Sequence, residues 1–216
     1  AMAADADVII AIGTRLQDFT TGSWTVFSPT AKFISINTAR WDATKHLASA
    51  VIGDALETVK ELNANLFGDV EGLDGGKKNI KFEGSDIKNW SADENWKRKG
   101  VKEFESWNNL LTKLQTPTNA KVPSYAQVVG VVNDLADPQD TLVTAAGGLP
   151  GEVSKGWRVK NPNTFDCEFG FSCMGYEIAG GWGHAIAKNG DGVPIVMTGD
   201  GSYLMMNSDI YSTVLT

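Results

Sequence analysis

The feature that most constrains this chain is a recurring apolar run that does not alternate with polar residues. Ala6-Asp7-Val8-Ile9-Ile10-Ala11-Ile12-Gly13 and Lys32-Phe33-Ile34-Ser35-Ile36-Asn37 place apolar side chains at consecutive positions and stop at a turn residue. A strand with one solvated face alternates, so continuous runs predict parallel strands buried on both faces. The pattern returns at Thr141 to Ala145, which breaks into Ala146-Gly147-Gly148-Leu149-Pro150-Gly151, and at Val193 to Met197. Asn163 to Glu168 reads as a shorter strand between them. Parallel strands need crossovers, usually helices, so the fold class is α/β.

Helical periodicity supplies the connections. Asp54 reads as an N-cap, with Glu57 three residues later as in a capping box and Leu56, Val59, Leu62 and Leu66 on one side. Residues 1–67 therefore run strand, loop, strand, loop, helix, too few strands for a whole doubly wound sheet. From Gly68 to Gly84 the composition turns to Gly, Asp and Lys, as in a linker. Ser91 to Leu114 recovers a helix whose Trp96, Phe104, Trp107, Leu111 and Leu114 are expected to pack on a neighbour, with Lys97-Arg98-Lys99 on its solvated face.

Pro123 is expected to open another helix, with Tyr125, Val128, Val129, Val132 and Leu135 inward and Asp137-Pro138 ending it. An irregular stretch is expected between Gly151 and Asn163. A glycine-rich helix follows from Gly175 to Lys188, with Ile178, Trp182, Ala185 and Ile186 as its apolar stripe. Gly175, Gly180, Gly181 and Gly183 each cost about 1 kcal/mol inside a helix, which implies close approach of a second helix or a cofactor. The expected organisation is parts of two doubly wound parallel-sheet domains, both incomplete, joined by a helical linker. The boundaries are 1–67, 68–122 and 123–216.

Composition narrows the classes of function. A net charge of −7 argues against a nucleic-acid partner, which needs clustered cations. No stretch approaches the apolar length of a membrane span. Ala1-Met2-Ala3-Ala4 lacks the marks of a signal peptide, so a cytoplasmic location is expected, with Cys167 and Cys173 as reduced thiols.

Three loops fall at the carboxyl ends of strands, where ligands of open α/β sheets bind: Gly147-Gly148, Glu168 to Gly175, and Gly199 to Ser202. Asp200 offers a hard oxygen to Mg²⁺, and Gly199 and Gly201 leave room for a phosphate beside it. A Gly-Asp-Gly turn also follows ordinary strands. Gly147-Gly148 could offer backbone N–H groups to an anion, and Ser202 stands where the next helix begins. His184 reads as a structural histidine without a visible acid or nucleophile partner, and His46 lies in a loop.

Phe171-Ser172-Cys173-Met174-Gly175-Tyr176 with the small-residue helix after it, then Val196-Met197-Thr198-Gly199-Asp200-Gly201-Ser202, resembles the diphosphate-binding domain of thiamine-diphosphate enzymes of the acetolactate-synthase type. Ala6 to Phe19 and Ala31 to Leu66 are similar to the closing half of that family's central Rossmann-like domain. Thr144 to Glu152 and Met174 to Gly180 look like an inositol-catabolic branch that opens a cyclic 1,2-dione. The resemblance implies thiamine diphosphate and Mg²⁺ as cofactors, with Asp200 on the metal, Gly199, Gly201 and Ser202 at the diphosphate, and Gly147 and Gly148 against its end. It implies that Met174 is the apolar wedge beneath the thiazolium, and Glu177 a weaker candidate for substrate hydroxyls.

The resemblance also implies a homo-oligomer, at least a dimer, acting on a small cyclic dione. The family's activating glutamate lies on a pyrimidine-binding domain, and its metal asparagine stands more than twenty residues beyond the Gly-Asp-Gly turn. Only fifteen residues follow Gly201, and Asn207 is too close. The chain is thus expected to be an internal piece of a longer enzyme, without turnover by itself. An acetolactate-synthase-like or decarboxylating relative, and a non-catalytic nucleotide-binding scaffold, are the alternatives.

Overall fold

The computed structural model describes residues 2–67 and 91–215, so the linker expected over 68–84 lies outside the described residues. Its contacts divide the chain into two units, Ala1–Glu105 and Ser106–Thr216.

In the first unit, β1 (Val8–Ile12), β2 (Lys32–Asn37) and β3 (Ser49–Ile52) form a parallel sheet in the order β1-β2-β3. Short helices α1 (Asp18–Thr21) and α2 (Arg40–Ala43) sit in the crossovers, and α3 (Ala55–Phe67) follows the sheet. Asp54 caps α3 as expected, accepting hydrogen bonds from the Leu56 and Glu57 amides at 2.9 and 3.1 Å. The Glu57 carboxylate takes a different partner, Lys60, at 2.8 Å. Strand β3 was not foreseen, because Ser-Ala-Val-Ile is too short to show a period.

The expectation that β1 is buried on both faces does not hold. Ala11 is buried and Ile9 half-buried, whereas Val8, Ile10 and Ile12 alternate with them and stay 45–55% exposed. One side of the strand is covered and the other is bare among the described residues. Trp24, Phe27 and Phe33 gather within the unit at centroid separations of 5.1–5.4 Å, and the His46 ring stacks on Trp24.

The second unit is built on β4 (Thr141–Thr144), β5 (Phe165–Cys167) and β6 (Pro194–Val196), all parallel in the order β5-β4-β6. Helix α5 (Tyr125–Leu135) starts at Tyr125, after the N-cap Ser124, rather than at Pro123. A complete capping box, Ser124 with Gln127, satisfies the first amides. Between β4 and β5 the stretch expected to be irregular contains a helix, α6 (Gly148–Gly156). Its glycines disguise it, and Pro150 is tolerated because it falls in the first turn, where an amide has no helical acceptor. Val129, Leu142, Val153 and Met197 form the core, so α5, β4, α6 and the residue that follows β6 share one apolar interior.

Helix α4 (Glu94–Gln115) carries the expected aromatic stripe, but its fully buried positions are confined to its C-terminal end. Leu111 and Gln115 are buried, and Gln115 donates to the Gly156 carbonyl at 2.8 Å. Phe104 and Trp107 remain 68% and 41% exposed. Lys97 meets Glu94 at 2.7 Å on the solvated face.

Helix α7 (Tyr176–Lys188) is turned differently from its apolar reading. Glu177 and Gly181 are its buried positions, while Ala185 and Ile186 are exposed. The reason is steric. A Cβ on Gly181 would sit 2.4 Å from Val196 Cγ2, so the helix lies directly on β6. The close approach implied by the glycines is that of a strand at Gly181 and, at Gly175, of a second helix, where a Cβ would crowd the Met206 side chain. At Gly180 it is the Tyr176 ring, 2.9 Å from where a Cβ would stand. After β6 the chain forms α8 (Asp200–Met206) and α9 (Asp209–Leu215).

Candidate functional site

All three strands of the second sheet point the same way, so their following loops emerge along one edge. Topology thus gathers the three segments singled out in the sequence. The β4 loop leads to Gly147, the β5 loop runs from Glu168 to Gly175, and the β6 loop is Met197 to Gly199. Two hydrogen bonds tie the edge across its centre: Glu168 N–H to the Thr144 carbonyl at 3.1 Å, and Thr144 O–H to the Met197 carbonyl at 2.8 Å.

Gly147 has φ +125°, a value open to glycine, and caps α6 while Gly148 opens it. The peptide groups there belong to a helix N-terminus, whose partial positive charge favours anions. Gly199 caps α8, and the helix starts at Asp200, two residues before Ser202. Asp200 is exposed, and its carboxylate accepts from the Gly201 amide at 2.9 Å. Space is open where a Cβ would stand on either Gly199 or Gly201.

The Ser202 side chain is buried, and its hydroxyl has no hydrogen-bond partner among the described residues. Leaving a buried hydroxyl unpaired costs on the order of 1–3 kcal/mol. An oxyanion beside the first turn of α8 would supply the missing acceptor. Open glycines, an exposed carboxylate and an orphaned hydroxyl together fit a metal-bound diphosphate. Among the described residues no group of three His, Cys, Asp or Glu side chains could hold a metal. Mg²⁺ binds through one or two carboxylates and takes phosphate oxygens and water as further ligands. Asn207 is the C-cap of α8, about 10 Å along the helix from Asp200 at 1.5 Å per residue.

Two carboxylates shape the β5 loop: Glu168, to which sequence reasoning gave no role, and Glu177, which the resemblance marked as a weaker candidate for substrate hydroxyls. Glu168 accepts from the Cys173 amide at 2.6 Å and the Phe171 amide at 2.8 Å, and these bonds hold its pKa below the usual carboxylate value. Glu177 is fully buried. Its carboxylate accepts from the Gly175 amide at 2.9 Å and from the Thr198 hydroxyl at 3.0 Å. Between these acids Met174 stands half exposed, and Gly175, at φ +94°, packs on Met206 of α8.

His184 does have an acid partner, contrary to its sequence reading. Its Nε2 lies 3.1 Å from Asp166 Oδ2, and the same oxygen accepts from the Tyr176 hydroxyl at 2.5 Å. That bond, with burial, pushes the Tyr176 pKa up to about 12. Tyr176 and His184 stand eight residues apart on α7, which brings both to one side of the helix, but only the packing of α7 on the sheet puts Asp166 opposite them. Cys167 and Cys173 are free thiols, and burial raises the pKa of Cys167.

The sequence profile of the thiamine pyrophosphate enzyme central domain matches residues 1–62, and that of the C-terminal TPP binding domain matches residues 145–215. Curated relatives of this chain carry the name 3D-(3,5/4)-trihydroxycyclohexane-1,2-dione hydrolase. The protein of Listeria innocua is 34% identical over 97% of this chain and 33% of its own length. That of Geobacillus thermodenitrificans is 33% identical over 99% of the chain and 33% of its own length. That of Clostridium perfringens is 34% identical over 99% of the chain and 34% of its own length. The chain therefore spans about a third of the length of these relatives. Central-domain and TPP-binding segments follow one another here in a single chain, each on its own parallel sheet, and the chain belongs to the thiamine pyrophosphate enzymes.

Proposed function

We propose that the whole protein carrying this chain is a thiamine-diphosphate- and Mg²⁺-dependent hydrolase that opens the ring carbon–carbon bond of 3D-(3,5/4)-trihydroxycyclohexane-1,2-dione to give 5-deoxy-glucuronate, a step of inositol degradation. The observation that carries this reading is the shared loop edge, where the exposed Asp200 and the orphaned Ser202 hydroxyl stand in the first turn of α8, directly after the β6 loop. Relatives bearing that hydrolase name supply the substrate class.

In this reading Asp200 holds Mg²⁺, while Ser202 and the backbone at Gly199 and Gly201 take diphosphate oxygens. Gly147 and Gly148 lie against the end of the diphosphate, and Met174 lends its exposed thioether side chain as an apolar contact for the cofactor rings. When bound, thiamine diphosphate supplies the carbon nucleophile and electron sink that cleavage beside a carbonyl requires. The reading includes a cytoplasmic, homo-oligomeric enzyme, at least dimeric. Residues 1–216 alone are expected to give no turnover and weak cofactor binding. Sub-micromolar affinity for thiamine diphosphate in calorimetry would contradict that expectation.

The deciding experiment assays the whole protein with the cyclic dione and with pyruvate, with and without thiamine diphosphate and Mg²⁺. Dione cleavage dependent on both cofactors supports the proposal. Cofactor-independent cleavage sinks it, and turnover of pyruvate alone replaces it with an acetolactate-synthase-like activity.

A further inference from the structure

Glu177 is a carboxylate with no exposed surface, in the first turn of α7, and among the described residues it makes no ion pair. Burying such a group is costly unless hydrogen bonds replace its water. For stability alone, an apolar side chain of similar volume beside Gly181 would pack more cheaply. Its two oxygens are divided between two different loops. Oε2 reaches back to the amide of Gly175, the residue after Met174, and Oε1 takes the hydroxyl of Thr198, the residue before Gly199. The second bond, at 3.0 Å, is shorter than the 3.4 Å from the same hydroxyl to the Gly199 carbonyl. With both oxygens engaged and none of its surface open, Glu177 has no route to a substrate hydroxyl.

We propose that Glu177 is a positioning residue, a buried clasp that fixes the Met174-Gly175 turn against the Thr198-Gly199-Asp200 turn. The clasp sets the apolar contact at Met174 and the metal ligand at Asp200 in one frame, and so rests on the cofactor site proposed above. Preorganisation of this kind raises affinity by sparing the ligand the cost of ordering the loops.

The test uses Glu177→Ala, Glu177→Gln and Thr198→Val in the whole protein. It measures thiamine diphosphate affinity in the presence of Mg²⁺ by calorimetry, the melting temperature, and dione turnover. Glu177→Ala is expected to weaken affinity about tenfold, or about 1.4 kcal/mol. Glu177→Gln is expected to restore affinity to within about threefold of the wild type. Its amide oxygen can take the Gly175 N–H while its NH₂ donates to Thr198 Oγ1, with the hydroxyl reversed. Thr198→Val cuts one end of the clasp at a partly buried side chain and gives an intermediate loss, which keeps the test open if Glu177→Ala does not fold.

A fall in melting temperature with unchanged affinity in Glu177→Ala and Thr198→Val would reduce the clasp to ordinary stabilisation and overturn the proposal. Wild-type affinity in Glu177→Gln with turnover lowered a hundredfold would overturn it in favour of a chemical role for the carboxylate. A wild-type protein that binds no thiamine diphosphate would instead sink the site reading itself, an outcome separate from a wild type that binds and variants that bind equally well.

Discussion

Gly181 offers a test in which two physical effects of opposite sign compete. Replacing it with alanine should help α7 by about 1 kcal/mol through helix propensity alone. The new methyl, however, would lie 2.4 Å from Val196 Cγ2, well inside van der Waals contact. The obstacle is a β-branched side chain on a strand, stiff at χ1, and Val196 is fixed by the pairing of β6 with Val143 of β4. Overpacking of this kind costs about 1–3 kcal/mol, so Gly181→Ala should destabilise the protein by up to about 2 kcal/mol net. Val196 is 38% exposed, which limits the loss on Val196→Ala to about 1 kcal/mol. With the valine methyls gone the clash disappears, and Gly181→Ala in the Val196→Ala background should stabilise by up to about 1 kcal/mol. Urea unfolding of the four proteins gives the coupling directly, a reversal of sign worth about 1–3 kcal/mol. If Gly181→Ala stabilises the wild type as much as it does the Val196→Ala protein, α7 does not lie against β6, and the geometry that places Glu177 beside Thr198 is wrong as well.

Ser202→Ala should leave stability unchanged or raise it by about 1 kcal/mol, because it removes an unpaired buried hydroxyl, while weakening binding of diphosphate-bearing ligands; thermal melts with and without thiamine diphosphate and Mg²⁺ separate the two effects. Glu168 has a folded pKa below its usual 4.5, so its contribution is present above that pH and is lost as pH falls through the lower folded value. Glu168→Gln should therefore flatten the acid limb of the melting-temperature profile below about pH 4.5, and an unchanged slope would refute the loop-holding role. Tyr176, raised to about 12, contributes stability that is present below about pH 10 and is lost as pH rises through its folded value. Ultraviolet titration should show one late-ionising tyrosine in the wild type that Tyr176→Phe removes.

Elements with a strong local code were legible in the sequence. The runs at Val8, Lys32, Thr141 and Val193 became strands, and Asp54 capped α3, because burial and capping act over a few residues. Helix α6 was not legible, since Gly148, Pro150, Gly151 and Gly156 all argue against a helix, and tertiary burial of Pro150 and Val153 overrides them. The glycines of α7 announced a close approach but not which surface approaches. Periodicity placed the buried face at Ile178 and Trp182, whereas contact with Val196 turns Glu177 and Gly181 inward. A residue type that removes bulk marks contact without marking direction, and only the fold of β6 supplies the direction.

The site divides along the same line. Gly147, Gly148, Met174 and Asp200 could be singled out as candidates because turns and strand ends leave marks in adjacent residues, and the resemblance proposed roles for them. Glu177 and Thr198 are twenty-one residues apart, and Asp166 and His184 eighteen. No local pattern joins such pairs. They meet because β5, β4 and β6 run parallel, which places the start of α7 beside the end of β6. A parallel sheet thus does more than present loops along one edge. It brings together the loop after one strand and the loop after another, so that a single buried side chain can reach both, and the precision of the proposed Asp200 site depends on a residue outside the Gly-Asp-Gly turn that first drew attention to it.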